Sequence, residues 1–324
     1  MPEYDADLLI IGAGPAGLTA AQYGARANLK VLAVEKFAPG GQALLIDVLE
    51  NYPGNVERRD AGGNVIAPPR TGFELAEDMH SQAKAFGACF LSDEVLRLDK
   101  EGDVFTALLA GGDICKASTV IIATGAAHRK LGIPGEEKFS GRGVSYCATC
   151  DGAFFKGKKI FVAGGGDAAC DAAQYLSRLS QHVILVHRRD RFRAQPSLAD
   201  RVMHNQNIQV RFNTVIKEIK GEQKVSSVML EREGEMSEEE ADGVFIFAGM
   251  VPCSSLVRGI RAELDENGYI VTDQKMAASV PGLFAAGDVR SGSFRQVIVA
   301  AGEGAVAAHS ASEYIDRLRG RVYG

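Results

Sequence analysis

The residues most informative about the fold are Asp7-Leu8-Leu9-Ile10-Ile11-Gly12-Ala13-Gly14-Pro15-Ala16-Gly17. The largely apolar run Asp7–Ile11 has the length of a short buried strand. The glycines that follow have the spacing G-x-G-x-x-G, and a stretch of helical length continues to about Asn28. A strand, a glycine-rich turn and a helix in this order predict a backbone that turns sharply and closely approaches a phosphate group.

A second strand is predicted at Val31–Val34, and it ends at Glu35. An acid at this position can accept hydrogen bonds from the two hydroxyl groups of a ribose. A tight turn without a ligand is the alternative when G-x-G-x-x-G stands alone. Because strand, turn, helix, second strand and acid occur together, the segment indicates a dinucleotide-binding unit.

The chain repeats this unit, and the two copies align without a gap at an offset of 152 residues, from Gly12 to Gly164. A strand is predicted at Lys159–Ala163 and another at Val183–Val186. Between them lies the turn Gly164-Gly165-Gly166-Asp167-Ala168-Ala169, and Ala20-Ala21-Gln22-Tyr23 recurs as Ala172-Ala173-Gln174-Tyr175. The predicted fold class is therefore α/β, with two Rossmann-like dinucleotide-binding domains.

The two copies differ in charge where the second strand ends. The position of Glu35 is taken by His187, which is followed by Arg188, Arg189 and, close behind, Arg193. A carboxylate repels a 2′-phosphate, whereas guanidinium groups bind it in a bidentate manner. The first copy thus suits a nucleotide with a free ribose, and the second suits NADPH. A solvated charged segment is the alternative interpretation of these arginines.

Each copy is predicted to close with a strand that ends in glycine, Val120–Gly125 in the first and Val244–Gly249 in the second. The first copy is longer, because the region between Lys36 and Thr119 has extra residues. Much of that length is the polar stretch Asn55–Arg70, which is rich in glycine and proline and is predicted to be an exposed loop.

The chain continues beyond the second copy with two further predicted strands, Tyr269–Asp273 and Leu283–Ala286. The latter runs into Gly287-Asp288-Val289. Asp288 is therefore placed to form hydrogen bonds with a polyol chain, although Gly-Asp is also a common turn.

A closing helix is predicted from Arg295 to about Leu318. Gly302 and Gly304 lie inside it, where each glycine costs about 1 kcal/mol relative to alanine. Close approach of a ligand or of a neighbouring segment would explain both glycines.

The sequence Cys147-Ala148-Thr149-Cys150-Asp151 carries the candidate redox chemistry. A spacing of three residues is about one helical turn, so the sulfur atoms can approach closely enough to form and break a disulfide. The thiolate is the reactive form of such a pair, and Asp151 is placed to move a proton. Half of a zinc site and two buried thiols are the alternatives. Zinc needs four ligands, whereas the other cysteines are scattered singly at Cys89, Cys115, Cys170 and Cys253.

Composition narrows the classes of protein. The 324 residues, 46% of them hydrophobic, suffice for one large domain or two of ordinary size. A net charge of −5 argues against nucleic acid as a partner. No stretch resembles a membrane span or a secretion signal, so a cytoplasmic location is expected. In that reducing compartment, a Cys-x-x-Cys pair is more often catalytic than structural.

These motifs give the chain a resemblance to the low-molecular-weight, bacterial-type thioredoxin reductases, which are FAD- and NAD(P)-dependent pyridine nucleotide-disulphide oxidoreductases. The resemblance covers essentially the whole chain. The motifs that carry it are, in order, Gly12–Gly17, Gly40-Gly41-Gln42, Asn51-Tyr52-Pro53-Gly54, Ala123-Thr124-Gly125, Cys147–Gly152, Gly164–Asp167, His187–Ala194, Gly287-Asp288-Val289 and Arg295-Gln296-Val297.

The resemblance implies a discontinuous FAD-binding domain, residues 1–127 and 256–324, with an inserted NADPH-binding domain, residues 128–255. It further implies that Cys150 lies nearest the flavin, with Cys147 as its disulfide partner and Asp151 as the proton donor, and that no metal is required. The residues expected to bind FAD are Gly12, Gly14, Pro15, Ala16, Gly17, Glu35, Gly41, Gln42, Asn51, Ala123, Thr124, Gly125, Gly287, Asp288, Arg295, Gln296 and Val297. Those expected to bind NADPH are Gly164, Gly166, Asp167, Ala168, Ala169, His187, Arg188, Arg189 and Arg193.

The implied activity is electron transfer from NADPH through FAD and the Cys147–Cys150 disulfide to the disulfide of thioredoxin, carried out by a homodimer. A reductase for another dithiol protein, such as a peroxidase component, is the alternative. A nucleotide-binding regulatory protein with a redox-gated partner is a more distant one. Because the nicotinamide site and the disulfide belong to the same inserted domain, that domain is expected to swing about hinges near Gly125–Leu131 and Gly249–Ser255.

Overall fold

The chain forms two compact units in the computed structural model, which describes residues 3–46, 49 and 51–321. The first unit contains the described residues up to Ala127 together with those from Val251 onward, and the second consists of His128–Met250. The chain therefore leaves the first unit once and returns to it once.

The secondary structure combines helices that follow single strands with two longer runs of consecutive strands, one within residues 89–145 and the other within residues 208–252. The strands are β1 (Glu3–Ile11), β2 (Val31–Glu35), β3 (Arg58–Arg59), β4 (Val65–Ala67), β5 (Cys89–Ser92), β6 (Val95–Glu101), β7 (Val104–Leu109), β8 (Ile114–Ile122), β9 (Ala126–His128), β10 (Val144–Ser145), β11 (Ile160–Gly164), β12 (Val183–Val186), β13 (Ile208–Arg211), β14 (Thr214–Gly221), β15 (Val225–Arg232), β16 (Glu235–Glu240), β17 (Gly243–Phe247), β18 (Met250–Pro252) and β19 (Leu283–Ala285). The α-helices are α1 (Pro15–Arg26), α2 (Gly72–Ala85), α3 (Ala148–Asp151), α4 (Asp167–Ser177), α5 (Pro196–Met203) and α6 (Val297–Leu318), and short 3-10 helices lie at Gly41–Leu45, Gly152–Phe155 and Ser255–Arg258. In the described part of the chain, each helix is too short or too polar to span a lipid bilayer.

The first unit is built on a seven-stranded sheet in the order β5-β2-β1-β8-β7-β6, with β19 also paired to β8. The strands β5, β2, β1, β8 and β19 run parallel, and β7 and β6 form an antiparallel extension. Alternate residues of β1 face opposite sides of the sheet. Leu8 and Ile10 pack in the core that α1 and α6 cover, whereas Leu9 and Ile11 pack in the core on the other face.

The second unit repeats this arrangement with a five-stranded parallel sheet, β10-β17-β11-β12-β13, beside a three-stranded antiparallel sheet, β14-β15-β16. The strand register is the same in both copies. Leu8 is opposite Val31 in the first unit, and Ile160 is opposite Val183 in the second, so both partners are shifted by 152 residues (160 − 8 and 183 − 31). The internal repeat and the α/β fold class are thereby confirmed.

Three predicted elements differ in the structure. The stretch 55–70 is not a plain loop, because β3 and β4 pair as a short hairpin whose turn is held by Asp60, which accepts backbone hydrogen bonds from Gly62 and Asn64 at 2.9 Å each. The strand expected at Tyr269–Asp273 does not form. Its residues make isolated bridges to three different segments, so no continuous ladder develops. The closing helix begins at Val297 rather than at Arg295.

Candidate functional site

A disulfide joins Cys147 and Cys150 in the second unit. Cys147 is the N-cap residue of α3, whose single turn brings Cys150 back towards it. The backbone N–H of Cys150 donates to Cys147 Sγ at 3.1 Å, and Thr149 Oγ1 lies 3.4 Å from the same sulfur. Because hydrogen-bond donors favour the charged form of a thiol, they would stabilise a thiolate at Cys147 once the disulfide is reduced.

The backbone around Cys147 is fixed by the end of β10. The N–H of Cys147 donates to Ser145 Oγ at 3.0 Å, and this hydroxyl donates in turn to the carbonyl of Cys147 at 3.1 Å. The next residue, Tyr146, donates its hydroxyl to Glu136 Oε1 at 2.7 Å. Glu136 is only 1% exposed and also accepts backbone hydrogen bonds from Leu131 and Gly132. The segment before the disulfide is therefore anchored through a buried carboxylate that sequence reasoning did not identify.

Asp151 occupies the last position of α3 and is half-buried. It directly follows Cys150, which is exposed. Three residues further on, Phe154 is 72% exposed, although it is a large apolar side chain. An acid and an exposed aromatic ring thus follow the disulfide closely in the sequence.

The glycine turn of the first unit is shaped by contacts that exclude side chains. Gly12 has φ +97°, and a Cβ built on it would lie 2.5 Å from the carbonyl oxygen of Ala123. A Cβ on Gly17 would overlap the carbonyl of Gly12. By contrast, no described atom lies within 4 Å of a Cβ built at Gly14, and Gly41 approaches Gly14 closely enough that its own Cβ would be 3.2 Å from Gly14 Cα. Open space thus remains at the N-terminus of α1, bordered by predicted residues.

Glu35 lies at the end of β2, as predicted, but its carboxylate also supports the glycine turn. Oε2 accepts the N–H of Ala13 at 2.8 Å, and Oε1 accepts the N–H of Phe37 at 3.0 Å. A carboxylate has about four acceptor sites. Two of them therefore remain for a ribose.

Other predicted flavin residues of the first unit form hydrogen bonds with segments that are distant in sequence. Asn51 donates to Gln296 Oε1 at 2.7 Å across 245 positions of sequence. Gln42 donates to the carbonyl of Ala126 at 2.5 Å, next to Thr124, whose hydroxyl donates to the carbonyl of Cys253 at 2.7 Å. Residues that are distant in sequence, and were expected to share one ligand, thus meet within one unit.

The loop after β19 is held by a buried ion pair. Glu303 of α6 is 7% exposed, accepts the N–H of Gly287 at 2.8 Å and pairs with Arg290 at 2.6 Å. Burial raises the pKa of Asp288, with Arg295 opposing and Glu303 adding to the shift. The guanidinium of Arg295 lies over the ring of Tyr269 at 4.7 Å from its centroid. Glu303 was missed at the sequence level, because helical spacing alone does not show that a glutamate faces inward.

The glycine turn of the second unit, Gly164–Asp167, has the same features. A Cβ on Gly164 would lie 2.6 Å from Ala169 Cβ, and no described atom lies within 4 Å of a Cβ built at Gly166. A Cβ on Gly165 would overlap the imidazole ring of His187. The turn therefore leaves open space at the N-terminus of α4 and packs against the residue that follows β12.

His187 and its neighbouring arginines occupy different environments. His187 is 5% exposed, and its pKa is lowered, first by burial and then by the charges of Arg193, Arg189 and Arg188. Arg188, Arg189 and Arg193 are exposed, as is Ala168 of the turn. The arginine side chains are thus free to meet an anion, whereas the imidazole lies beneath the glycine turn.

The segment 188–194, here termed the arginine loop, is tied to the glycine turn by contacts that sequence reasoning did not identify. The N–H of Arg193 donates to the carbonyl of Gly165 at 2.7 Å. Gln195 donates to Asp167 twice, from its backbone to Oδ1 at 2.8 Å and from its side chain to Oδ2 at 3.0 Å. We call the two hydrogen bonds from Gln195 to Asp167 the latch. In the sequence it corresponds only to a glutamine before Pro196 at the start of a helix, and this pattern is too common to predict such a contact.

The remaining cysteines have two different environments. Burial raises the pKa of Cys115 to about 11 and that of Cys170 to about 12, and nearby aspartates add to both shifts. Cys89 and Cys253 are exposed, and partial burial raises the pKa of Cys253. Among the residues that the structure describes, no cluster of three or more His, Cys, Asp or Glu side chains could hold a metal ion.

The sequence is similar to known proteins over nearly its whole length. The profile of the pyridine nucleotide-disulphide oxidoreductase family matches residues 6–304. Thioredoxin reductase of Treponema pallidum is 54% identical over 98% of this chain and 99% of that protein. Thioredoxin reductase of Bacillus subtilis is 44% identical over 97% of this chain and 96% of that protein.

Solved structures of thioredoxin reductases have the same fold as this chain. The crystal structure of Lactococcus lactis thioredoxin reductase in its FR conformation superposes with a TM-score of 0.90 at 40% identity, covering 96% of this chain and 99% of that one. Thioredoxin reductase of T. acidophilum gives a TM-score of 0.87 at 35% identity, covering 97% and 99%. The chain therefore belongs to the pyridine nucleotide-disulphide oxidoreductase family, and within it to the thioredoxin reductases.

Proposed function

We propose that this protein uses NADPH to reduce the disulfide of thioredoxin, with FAD bound to the first unit and NADPH to the second. The observation that carries the proposal is the Cys147–Cys150 disulfide, which lies in the same unit as the second glycine turn and the arginine loop. A nucleotide site and a redox disulfide in one unit serve one electron path.

The residues present fit the two nucleotides. The open space in front of Gly14 and Gly166 lies at the N-termini of α1 and α4, where the helix dipole favours a pyrophosphate. In the first unit, Glu35 has acceptor sites left for a ribose, and Gly41, Gln42, Asn51, Ala123–Gly125, Gly287, Asp288 and Arg295–Val297 would hold the rest of FAD. In the second, Arg188, Arg189 and Arg193 would bind the 2′-phosphate.

When bound, FAD supplies the chemistry that NADPH and a disulfide lack in direct contact, since its isoalloxazine accepts a hydride and donates two electrons. The cysteines and Asp151 of the protein carry out the disulfide reduction. Two electrons break the Cys147–Cys150 bond, and one proton supplied by Asp151 leaves Cys150 as a thiol and Cys147 as a thiolate. The Cys150 N–H and Thr149 hydroxyl then favour the thiolate of Cys147.

The reduced pair acts on the partner by thiol–disulfide exchange. The Cys147 thiolate attacks one sulfur of the thioredoxin disulfide, which forms a mixed disulfide and releases a thiolate. Cys150 then attacks Cys147, which re-forms the intramolecular disulfide and releases thioredoxin as a dithiol. The exposed ring of Phe154, four residues after Cys150, offers an apolar contact for a protein substrate.

The test is steady-state oxidation of NADPH by the purified protein with thioredoxin as acceptor. We expect turnover by the unmodified protein, one FAD per chain, and loss of turnover in the Cys147→Ser/Cys150→Ser double variant. Turnover with a peroxidase component but not with thioredoxin would favour the alternative acceptor. Absence of NADPH oxidation with any disulfide protein would leave a regulatory role.

We also propose that the protein is a cytoplasmic homodimer, on the strength of the family resemblance. The mass of one chain is 34.5 kDa. Light scattering after gel filtration should therefore give about twice this mass, and a single-chain mass would refute the dimer.

A further inference from the structure

The feature that carries a further inference is the latch between the arginine loop and the second glycine turn. Gln195 is the N-cap residue of α5, which starts with Pro196. Its backbone and side chain donate to the two different carboxylate oxygens of Asp167, the first residue of α4. One residue thus fixes the end of the arginine loop to the start of α4 through its backbone and its side chain.

Two more contacts join the same segments. The Arg193 N–H binds the Gly165 carbonyl at 2.7 Å. On the other side of the loop, the ring of His187 packs under Gly165 and stacks on Phe192 with ring centroids 6.2 Å apart. The arginine loop is therefore attached to the glycine turn at three points: His187 just before the loop, Arg193 near the end of the loop and Gln195 just after it.

We propose that Gln195 is a positioning residue for the 2′-phosphate of NADPH, because its latch to Asp167 orders the arginine loop before the nucleotide binds. The inference rests on the proposed use of NADPH. It assigns to Asp167 a role in ordering the arginine loop, since each of its carboxylate oxygens accepts a hydrogen bond from Gln195.

The physical reason is the entropy of the loop. Arg188, Arg189 and Arg193 are exposed, and long side chains on a mobile loop lose freedom when they converge on one anion. A loop that is already ordered loses less on binding. NADH has no 2′-phosphate, so its binding does not need the arginine loop and should not depend on the latch.

The experiment compares Gln195→Ala with Gln206→Ala as a matched control, because Gln206 is an exposed glutamine of the same unit. Calorimetry with 2′,5′-ADP and 5′-AMP measures the contribution of the 2′-phosphate without catalysis. We expect Gln195→Ala to weaken 2′,5′-ADP about fivefold, the value of roughly one net hydrogen bond, and to leave 5′-AMP unchanged. Gln206→Ala should change neither. Equal weakening of both ligands, or no weakening of 2′,5′-ADP, would overturn the inference.

A double-mutant cycle then separates positioning from an independent contact. If Gln195 acts through the arginines, its replacement in an Arg193→Ala background should have a clearly smaller effect than in the unmodified protein. Strictly additive effects would overturn the inference. The two proposals are contradicted by different results. If the unmodified protein binds 2′,5′-ADP no better than 5′-AMP, the use of NADPH itself is contradicted. If it prefers 2′,5′-ADP and Gln195→Ala keeps the same preference, only the role of Gln195 is contradicted.

Discussion

Gly304 of α6 lies directly against the backbone of Ala16 in α1, so that a Cβ built on Gly304 would overlap the carbonyl oxygen of Ala16. The glycine therefore lets two helices of the first unit approach at the glycine turn. Gly302, two residues earlier in the same helix, is exposed, and among the described residues no atom outside the adjoining backbone of α6 lies within 4 Å of a Cβ built there. The two glycines of the closing helix thus have different explanations.

This contrast gives a paired prediction for stability. Gly304→Ala should destabilise the protein by about 1–3 kcal/mol, because the backbones must separate. Gly302→Ala, the control in the same helix, should stabilise it by up to about 1 kcal/mol through helix propensity. Urea unfolding of both variants measures the difference. Similar destabilisation by both changes would contradict the packing explanation.

The α/β cores were predictable because buried parallel strands are short apolar runs and the glycine turns have a fixed spacing. The predicted repeat is also present in the strand register, since Leu8 opposite Val31 recurs as Ile160 opposite Val183. The antiparallel sheet β14-β15-β16 was not predicted. Its strands are half-exposed and highly charged, so they lack the continuous apolar signal.

The candidate site was predictable by residue type but not by environment. His187 was grouped with its arginines by position, whereas its ring turns under Gly165. The direction of a side chain just beyond a strand depends on the local backbone, which period-two alternation does not determine. Glu136, Gln195 and Glu303 act through contacts between distant segments, and such pairings leave no local pattern in one sequence.

The arginine loop predicts the choice of nucleotide. Arg188→Ala should lower kcat/KM for NADPH roughly tenfold, because a hydrogen bond between charged groups contributes about 1.5–3 kcal/mol. The value for NADH should hardly change. Arg178→Ala is the control, since this exposed arginine follows the opposite end of α4. Equal use of both nucleotides by the unmodified enzyme would refute the assignment of the second unit to NADPH.

The free cysteines should differ in their reaction with iodoacetamide. Only a thiolate reacts rapidly, so a raised pKa lowers the rate at a given pH. Cys115 and Cys170, whose pKa values are about 11 and about 12, should resist labelling of the native oxidised protein near pH 8. Cys253 is exposed but its pKa is also raised; its labelling should accelerate as the pH increases above about 8. Mass spectrometry of peptides measures each site, and rapid native labelling of Cys170 would contradict its burial.

Asp151 should act on the thiol step rather than on the flavin step. In Asp151→Asn, the flavin should still be bleached by NADPH at nearly the normal rate, whereas reduction of thioredoxin should slow by about 10²-fold, the lower range for loss of a general acid. Stopped-flow absorbance separates the two steps. Glu137→Gln serves as a control, since this exposed acid of the same unit pairs with Lys130 at 2.8 Å. Equal slowing of both steps would indicate that Asp151 has another role.

The connections between the units predict a movement. Gly125 and Gly249 have φ values of +66° and +110°, which favour glycine, and each is held within its own unit: Cys253 donates to the Gly125 carbonyl at 3.0 Å, and Arg129 donates to that of Gly249 at 2.8 Å. Hydride transfer needs the nicotinamide about 3–3.5 Å from the flavin, and the disulfide needs similar proximity. Because the nicotinamide site and the disulfide both belong to the second unit, rotation about the two connections would present them to the flavin in turn.

A fully cross-linked protein, with the units joined by a bifunctional lysine reagent, should retain flavin reduction by NADPH or flavin oxidation by the disulfide, but not both. Singly modified lysines provide the control, and complete turnover by the cross-linked protein would show that no rotation is needed.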